Sequence, residues 1–119
     1  MQGLISSVGQ HLTFRDFDVV IPAMDGASSA WTADSTIGSN AYKQTVLTAD
    51  INAGLYIDAN TRFDVLPCKR SGASVLTESD LDIFDDISYA ESTATGIQFV
   101  SVTRQPSADI PVTIRIYKQ

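Results

Sequence analysis

At 119 residues, with 44% apolar and 18% charged side chains, the chain has the material for one hydrophobic core and one domain. Its formal charge of −6 comes without the basic stripe that a nucleic-acid binder needs to displace counterions from phosphates. It also has no apolar run of about 18 residues that could span a membrane, and its single cysteine cannot close an intrachain disulfide.

Residues 1–11 differ in character from the rest of the chain. They carry almost no charge, and they hold two glycines and the Ser6-Ser7 pair. Leu4, Ile5 and Val8 are spaced to share one helical face. The segment lacks the basic start and continuous apolar stretch of a secretory leader, so synthesis and folding in a cytoplasm are expected. It is expected to be an attachment arm that docks onto a neighbouring subunit or a larger assembly, with a frayed terminus as the alternative. Residues 12–119 are expected to form the β-rich domain.

Residues 12–21 read as a strand that stops at Pro22, with Asp16 and Asp18 interrupting its alternation. Residues 23–40 are rich in Ala, Ser, Thr, Gly and Asp around Trp31, and predict a long loop or irregular edge. Residues 42–47 predict a second strand. A short strand at Leu55-Tyr56-Ile57 is expected between turns. Residues 62–66 predict another, with Phe63 and Val65 on one face and Pro67 at its end.

Residues 77–90 are the one predicted helix. Thr77 and Asp80 have the spacing of a capping box, and Leu76 and Leu81 that of a hydrophobic staple. Glu78, Asp80 and Asp82 suit the positive end of the helix dipole, and Leu81, Phe84 and Ile87 form the expected buried stripe. Beyond Gly96 the period returns to two, with Ile97 and Phe99 on one face and Val100 and Val102 on the other. The turn 105–107 leads into Ile110, Val112, Ile114 and Ile116, the clearest alternation in the chain. These last two strands are expected to pair as a hairpin. The fold class is therefore mainly β: a small antiparallel β-sandwich or barrel-like domain with one short helix.

Residues that could carry chemistry are sparse. His11 is the one histidine and lies in the arm, so neither a nucleophile–histidine pair nor a zinc site has the residues it needs. Cys68 reads as a small buried hydrophobe. The acids from Glu78 to Glu91 contain no glycine turn of the kind a calcium loop uses, and read as a solvated helix face. Lys69-Arg70 beside Ser71-Gly72 reads as a solvated loop. Among carboxylate pairs only Asp18 with Asp64 is worth naming, and no spacing selects it. No catalytic site, metal or cofactor is expected. Trp31, Tyr42 and Tyr56 are candidates for stacking on the apolar faces of sugar rings, each with the alternative of covering a core edge.

One family resemblance emerges from this pattern. Phe17-Asp18-Val19-Val20-Ile21-Pro22, then Ser29-Ala30-Trp31 and Tyr42-Lys43-Gln44-Thr45-Val46, resemble the small repeated modules of phage virion proteins. A turn rich in Asp, Asn and Thr comes next, then Phe63-Asp64-Val65 and a short acidic helix. Gly96-Ile97-Gln98-Phe99 and Pro106-Ser107-Ala108-Asp109-Ile110-Pro111-Val112 look like the closing hairpin of such modules. The likeness covers about residues 12–119. It implies a virion structural protein, either a capsid decoration or head fibre or a tail-fibre or baseplate component. It also implies assembly as a homotrimer with other virion proteins, and no catalytic site. With so little sequence before the module, capsid decoration or a short fibre is expected over a long fibre. Val100, Val102 and Tyr117 are the expected oligomer interface. The alternative is a module that binds carbohydrate or the host surface.

Overall fold

The computed structural model describes residues 13–25 and 28–117. Nine strands and two short helices follow one another in the order β1 Phe14–Ile21, β2 Met24–Asp25, β3 Ser28–Ser29, β4 Thr32–Ala33, β5 Tyr42–Leu47, α1 Thr48–Ile51, β6 Phe63–Pro67, α2 Glu78–Phe84, β7 Tyr89–Ser92, β8 Gly96–Ser101 and β9 Ile110–Tyr117. One antiparallel sheet has the order β1-β9-β6 and a second the order β4-β5-β8-β7, while β2 and β3 form a small ribbon. The domain is a small antiparallel β-sandwich, as its alternation predicts.

The core lies between the sheets. From the three-stranded sheet, Phe17, Ile21, Ile110, Val112, Ile114 and Ile116 point inward. They meet Val46, Ile97 and Phe99 from the four-stranded sheet, with Trp31, Ile51 and Ile57 filling the rim. Burying each large apolar side chain contributes about 1.5–3 kcal/mol, so this cluster dominates the stability of the domain. β9 is the central strand of its sheet, and its one anomaly is Pro111. The neighbouring strand β6 has already ended at Pro67, opposite Val112, so the sheet is two strands wide at Pro111 and tolerates the missing N–H.

Where β8 begins, a glycine is required. Gly96 has φ +157°, and a Cβ there would stand 2.1 Å from the Val46 carbonyl oxygen and 2.9 Å from the Leu47 Cα. A side chain at this position would push β5 and β8 apart.

Four local expectations are corrected. Strands β8 and β9 do not form a hairpin. Each is an inner strand with two neighbours, β5 and β7 for the first and β1 and β6 for the second, so their apolar faces stack across the core instead of pairing edge to edge. The link between them crosses from sheet to sheet, held by Ser101 Oγ donating to the Arg104 carbonyl at 2.7 Å and by the Ala23 N–H donating to Asp109 Oδ1 at 2.8 Å.

The helix is shorter than 77–90. Its capping box forms as expected, with Thr77 Oγ1 accepting from the Asp80 N–H and Asp80 accepting from the Thr77 N–H. The helix nevertheless ends at Phe84, because Ser88 donates to the Val100 carbonyl at 2.7 Å and draws the chain into β7. Ile83 joins Phe84 and Ile87 against the core, while Leu81 is exposed. Residues 55–57 make no strand, and residues 48–51 form a short helix, α1, that the sequence pattern does not suggest.

Candidate functional site

Residues 52–61 form a loop tied at both ends by its own polar side chains. Asn52 Oδ1 accepts from the Gly54 N–H at 3.0 Å, and Asp58 Oδ1 accepts from the Asn60 N–H at 2.8 Å. The Asp58 N–H in turn donates to Thr61 Oγ1 at 2.9 Å. Such Asx-type bonds fix a turn without a sheet partner. Between these ties Leu55 packs on the core and Ile57 is buried in it. Tyr56, between two anchored neighbours, is turned outward with 78% of its surface exposed. The loop therefore holds one aromatic ring in water.

The first and last strands supply the facing wall. Their register places Phe14 opposite Tyr117, and the two rings meet edge to face at 6.0 Å. The Tyr117 N–H donates to the Arg62 carbonyl at 2.9 Å, so Phe14, Tyr117 and Arg62 form one row across the end of the sheet. Phe14, Tyr56, Tyr117, Leu55 and Ile116, together with Arg15, line a cleft of about 490 Å³. A smaller depression of about 190 Å³, walled by Arg62, Phe63, Asp64 and Tyr117, adjoins it through Tyr117.

Charges on the outer face of this sheet satisfy one another. Arg115 donates to both carboxylate oxygens of Asp16, at 2.9 and 3.1 Å, and lies over the Phe14 ring at 4.1 Å. Tyr117 donates to Asp64 at 2.6 Å, and Thr113 donates to Asp18 at 2.7 Å. The hydrogen bond from Arg115 holds the Asp16 carboxyl below its ordinary 3.8. The bond to Asp64 holds the Tyr117 phenol above its ordinary 10.0. Both groups thus titrate further from neutral pH, the opposite of the tuning a general acid or base uses. Asp18 and Asp64 share this face but sit in different rows, opposite Thr113 and Arg115 respectively.

The structure separates the three aromatics named for sugar contact. Trp31 is 3% exposed and belongs to the core cluster, so its ring is a packing element and the expectation of surface contact is corrected. Tyr42 is half-buried against the same core. Of the three, Tyr56 alone is largely exposed.

The expected oligomer interface divides as well. Val100 has no exposed surface, since its register neighbours Lys43 and Tyr89 stand on either side of it. It is removed from the interface. Val102 is exposed, and Tyr117 lines the cleft. The arm residues Leu4, Ile5 and Val8, and His11, lie outside the described residues.

Two smaller expectations change. Cys68 is half-buried and not interior. Arg70 is more than a solvated loop residue: it donates to Asp80 at 3.2 Å and to the Asp109 carbonyl at 3.0 Å, tying its loop to the helix and to the approach to strand β9. Asp86 of the acidic run pairs with Arg104 at 2.7 Å. Among the described residues no group of three or more acids, histidines or cysteines is placed to hold a metal ion.

Phe14, Arg15 and Arg62 are the site residues that sequence reasoning missed. Their meeting depends on the first and last strands pairing along their full length, and alternation within either strand carries no trace of that. No protein-family model matches the chain, and no match was found to a curated protein or to a solved structure.

Proposed function

We propose that the chain is a non-enzymatic structural module of the phage-virion type, which assembles into a homotrimer and takes its place on a particle through contacts with other virion proteins. The observation that carries this reading is an uncovered gap between the sheets. Strand β4 pairs only with Tyr42 and Lys43, and β1 is an edge of its own sheet. Between β1 and the length of β5 that β4 leaves unpaired lies a cleft of about 580 Å³ lined by Val20, Gln44 and Leu47, among others. Val20 is 54% and Leu47 51% exposed, and edge strands with apolar side chains in water invite a partner.

A closed trimer uses heterologous contacts, in which a cleft on one subunit takes a different patch of the next. Tyr89 and Val102, both exposed, lie near the opposite edge of the four-stranded sheet and supply such a patch. Light scattering on the purified chain is expected to give the mass of a trimer, and Val20→Asp with Leu47→Asp is expected to give a folded monomer. A wild-type chain that stays monomeric at micromolar concentration would overturn the proposal.

A second reading, contact with a surface saccharide, is favoured by the outward ring of Tyr56 facing Phe14 and Tyr117. Aromatic faces set around an open cleft suit the apolar faces of sugar rings. A fibre or decoration protein can carry both roles. Loss of glycan binding in Tyr56→Ala, with an unchanged thermal midpoint, is the expected result.

A further inference from the structure

We infer that the cleft between Tyr56 and the Phe14–Tyr117 pair takes an acidic saccharide, one bearing uronic or sialic acid carboxylates. This rests on the saccharide reading above and names its substrate class. The chain is acidic overall, and the basic side chains elsewhere are largely committed. Lys43 pairs with Asp34 at 2.9 Å, Arg70 with Asp80 at 3.2 Å, Arg104 with Asp86 at 2.7 Å and Arg115 with Asp16 at 2.9 Å. Among the described residues the arginines without a carboxylate partner are Arg15 and Arg62. Both stand at this one site, Arg15 in the wall of the cleft and Arg62 in the adjoining depression. Lys69, also without a carboxylate partner, lies past the opposite end of β6.

The geometry leaves the arginine donors usable. The Arg15 guanidinium carbon lies over the Phe17 ring at 4.9 Å, a contact with an apolar ring that engages no carboxylate. Asp64, the carboxylate that lines the depression with Arg62, is engaged by the Tyr117 hydroxyl. The charged side chains lining the cleft and the adjoining depression are thus two arginines without a carboxylate partner and one carboxylate already engaged by a hydroxyl. Planar guanidinium groups suit carboxylates through paired hydrogen bonds, while the exposed Tyr56 ring offers a flat apolar surface to the sugar beside the Phe14–Tyr117 pair. An aromatic cleft with this charge differs from the uncharged platforms expected for neutral sugars.

The test uses the full chain on a panel of immobilised oligosaccharides bearing uronic or sialic acid, each beside its carboxyl-reduced counterpart. The acidic forms are expected to bind more tightly. Arg15→Gln and Arg62→Gln are each expected to weaken binding of the acidic forms about tenfold and to leave the neutral forms unchanged. Tyr56→Ala is expected to lose both. Thermal midpoints near the wild-type value show that each variant is folded, and two arginine variants guard against the failure of either.

If acidic and neutral forms bind alike, or if both arginine variants keep the preference, the acidic assignment falls while the saccharide reading stands. If the wild-type chain binds no member of the panel, both fall. Competition by polyglutamate as strong as by the acidic saccharide would assign the cleft to an anionic peptide and overturn the inference. So would a change in oligomeric mass, without a change in glycan binding, in Tyr56→Ala.

Discussion

The loop around Trp31 and the loop around Tyr56 look alike in sequence. Each sets one large aromatic among small and turn-forming residues, between strands. The fold sends the first ring into the core at 3% exposure and the second into water at 78%. What separates them is how each loop is tied. The Trp31 loop is drawn onto the sandwich from outside, by β4 pairing with β5 and by Gln44 Nε2 donating to the Pro22 carbonyl at 2.9 Å. The Tyr56 loop is tied to itself, and its flanking Leu55 and Ile57 fill the positions in the core. A loop held by the sheets buries its aromatic, while a self-held loop whose neighbours take the core presents it.

Substitutions can break this contrast from either side. The largest effect is expected from Trp31→Ala, which removes a core ring and leaves a cavity. A loss of about 3–5 kcal/mol in chemical denaturation is expected, and a loss below about 1 kcal/mol would place the ring outside the core. Gln44→Ala removes the amide that bonds Pro22 across the gap between the sheets. It is expected to cost about 1–2 kcal/mol and to speed amide exchange in β4 and the start of β5. Thr61→Val keeps the shape of a buried residue but removes the acceptor for the Asp58 N–H. It is expected to cost about 1 kcal/mol, with glycan binding at Tyr56 weakened as the loop loosens. Unchanged binding would show that the tie does not position the ring.

Acid sharpens the comparison further, because the far end of the Trp31 loop is held by an ion pair and the Tyr56 loop is not. The ammonium of Lys43 and then the hydroxyl and N–H of Thr36 hold the Asp34 carboxyl down to about 2, from an ordinary 3.8. The folded value lies below the unfolded one. The contribution is therefore complete above about pH 4 and is lost as pH falls toward 2. Wild type and Asp34→Asn are expected to differ by a constant thermal midpoint above about pH 4 and to converge at lower pH. A gap that persists unchanged at the acid end would mean that the bond to Lys43 does not stabilise the fold.

The inner face of the sandwich was legible in the sequence wherever alternation and burial coincide. Ile110, Val112, Ile114 and Ile116 alternate, and all four are core. Ile97 and Phe99 likewise face inward, and Thr77 with Asp80 caps the helix as the spacing predicts. Period two alone, however, does not distinguish strands that pair from strands that stack. That is why the expected β8–β9 hairpin is instead two facing layers. Helical spacing at Leu81, Phe84 and Ile87 likewise carries no information about where β8 recruits the chain into β7. The site was less legible. Tyr56 could be named as an aromatic between turns, but its partners Phe14 and Tyr117 sit at opposite ends of the described chain. Arg15 and Arg62 gain meaning only from the lack of a carboxylate partner, a property of the whole surface and not of any local pattern.

The smallest expected effect on stability is the one that decides the contrast. Tyr56 makes no hydrogen bond through its ring hydroxyl among the described residues, and its neighbours Leu55 and Ile57 carry the packing of the loop. Tyr56→Ala is therefore expected to change unfolding free energy by no more than about 0.5 kcal/mol, the usual range for surface substitutions. A ring so exposed, held by a loop whose own ties do not need it, gains nothing for the fold by being aromatic. On the saccharide reading proposed above, its size and flat face serve a contact made beyond the chain. If the substitution instead cost as much as Trp31→Ala, the ring would be part of the core after all, and the two loops would differ in appearance only.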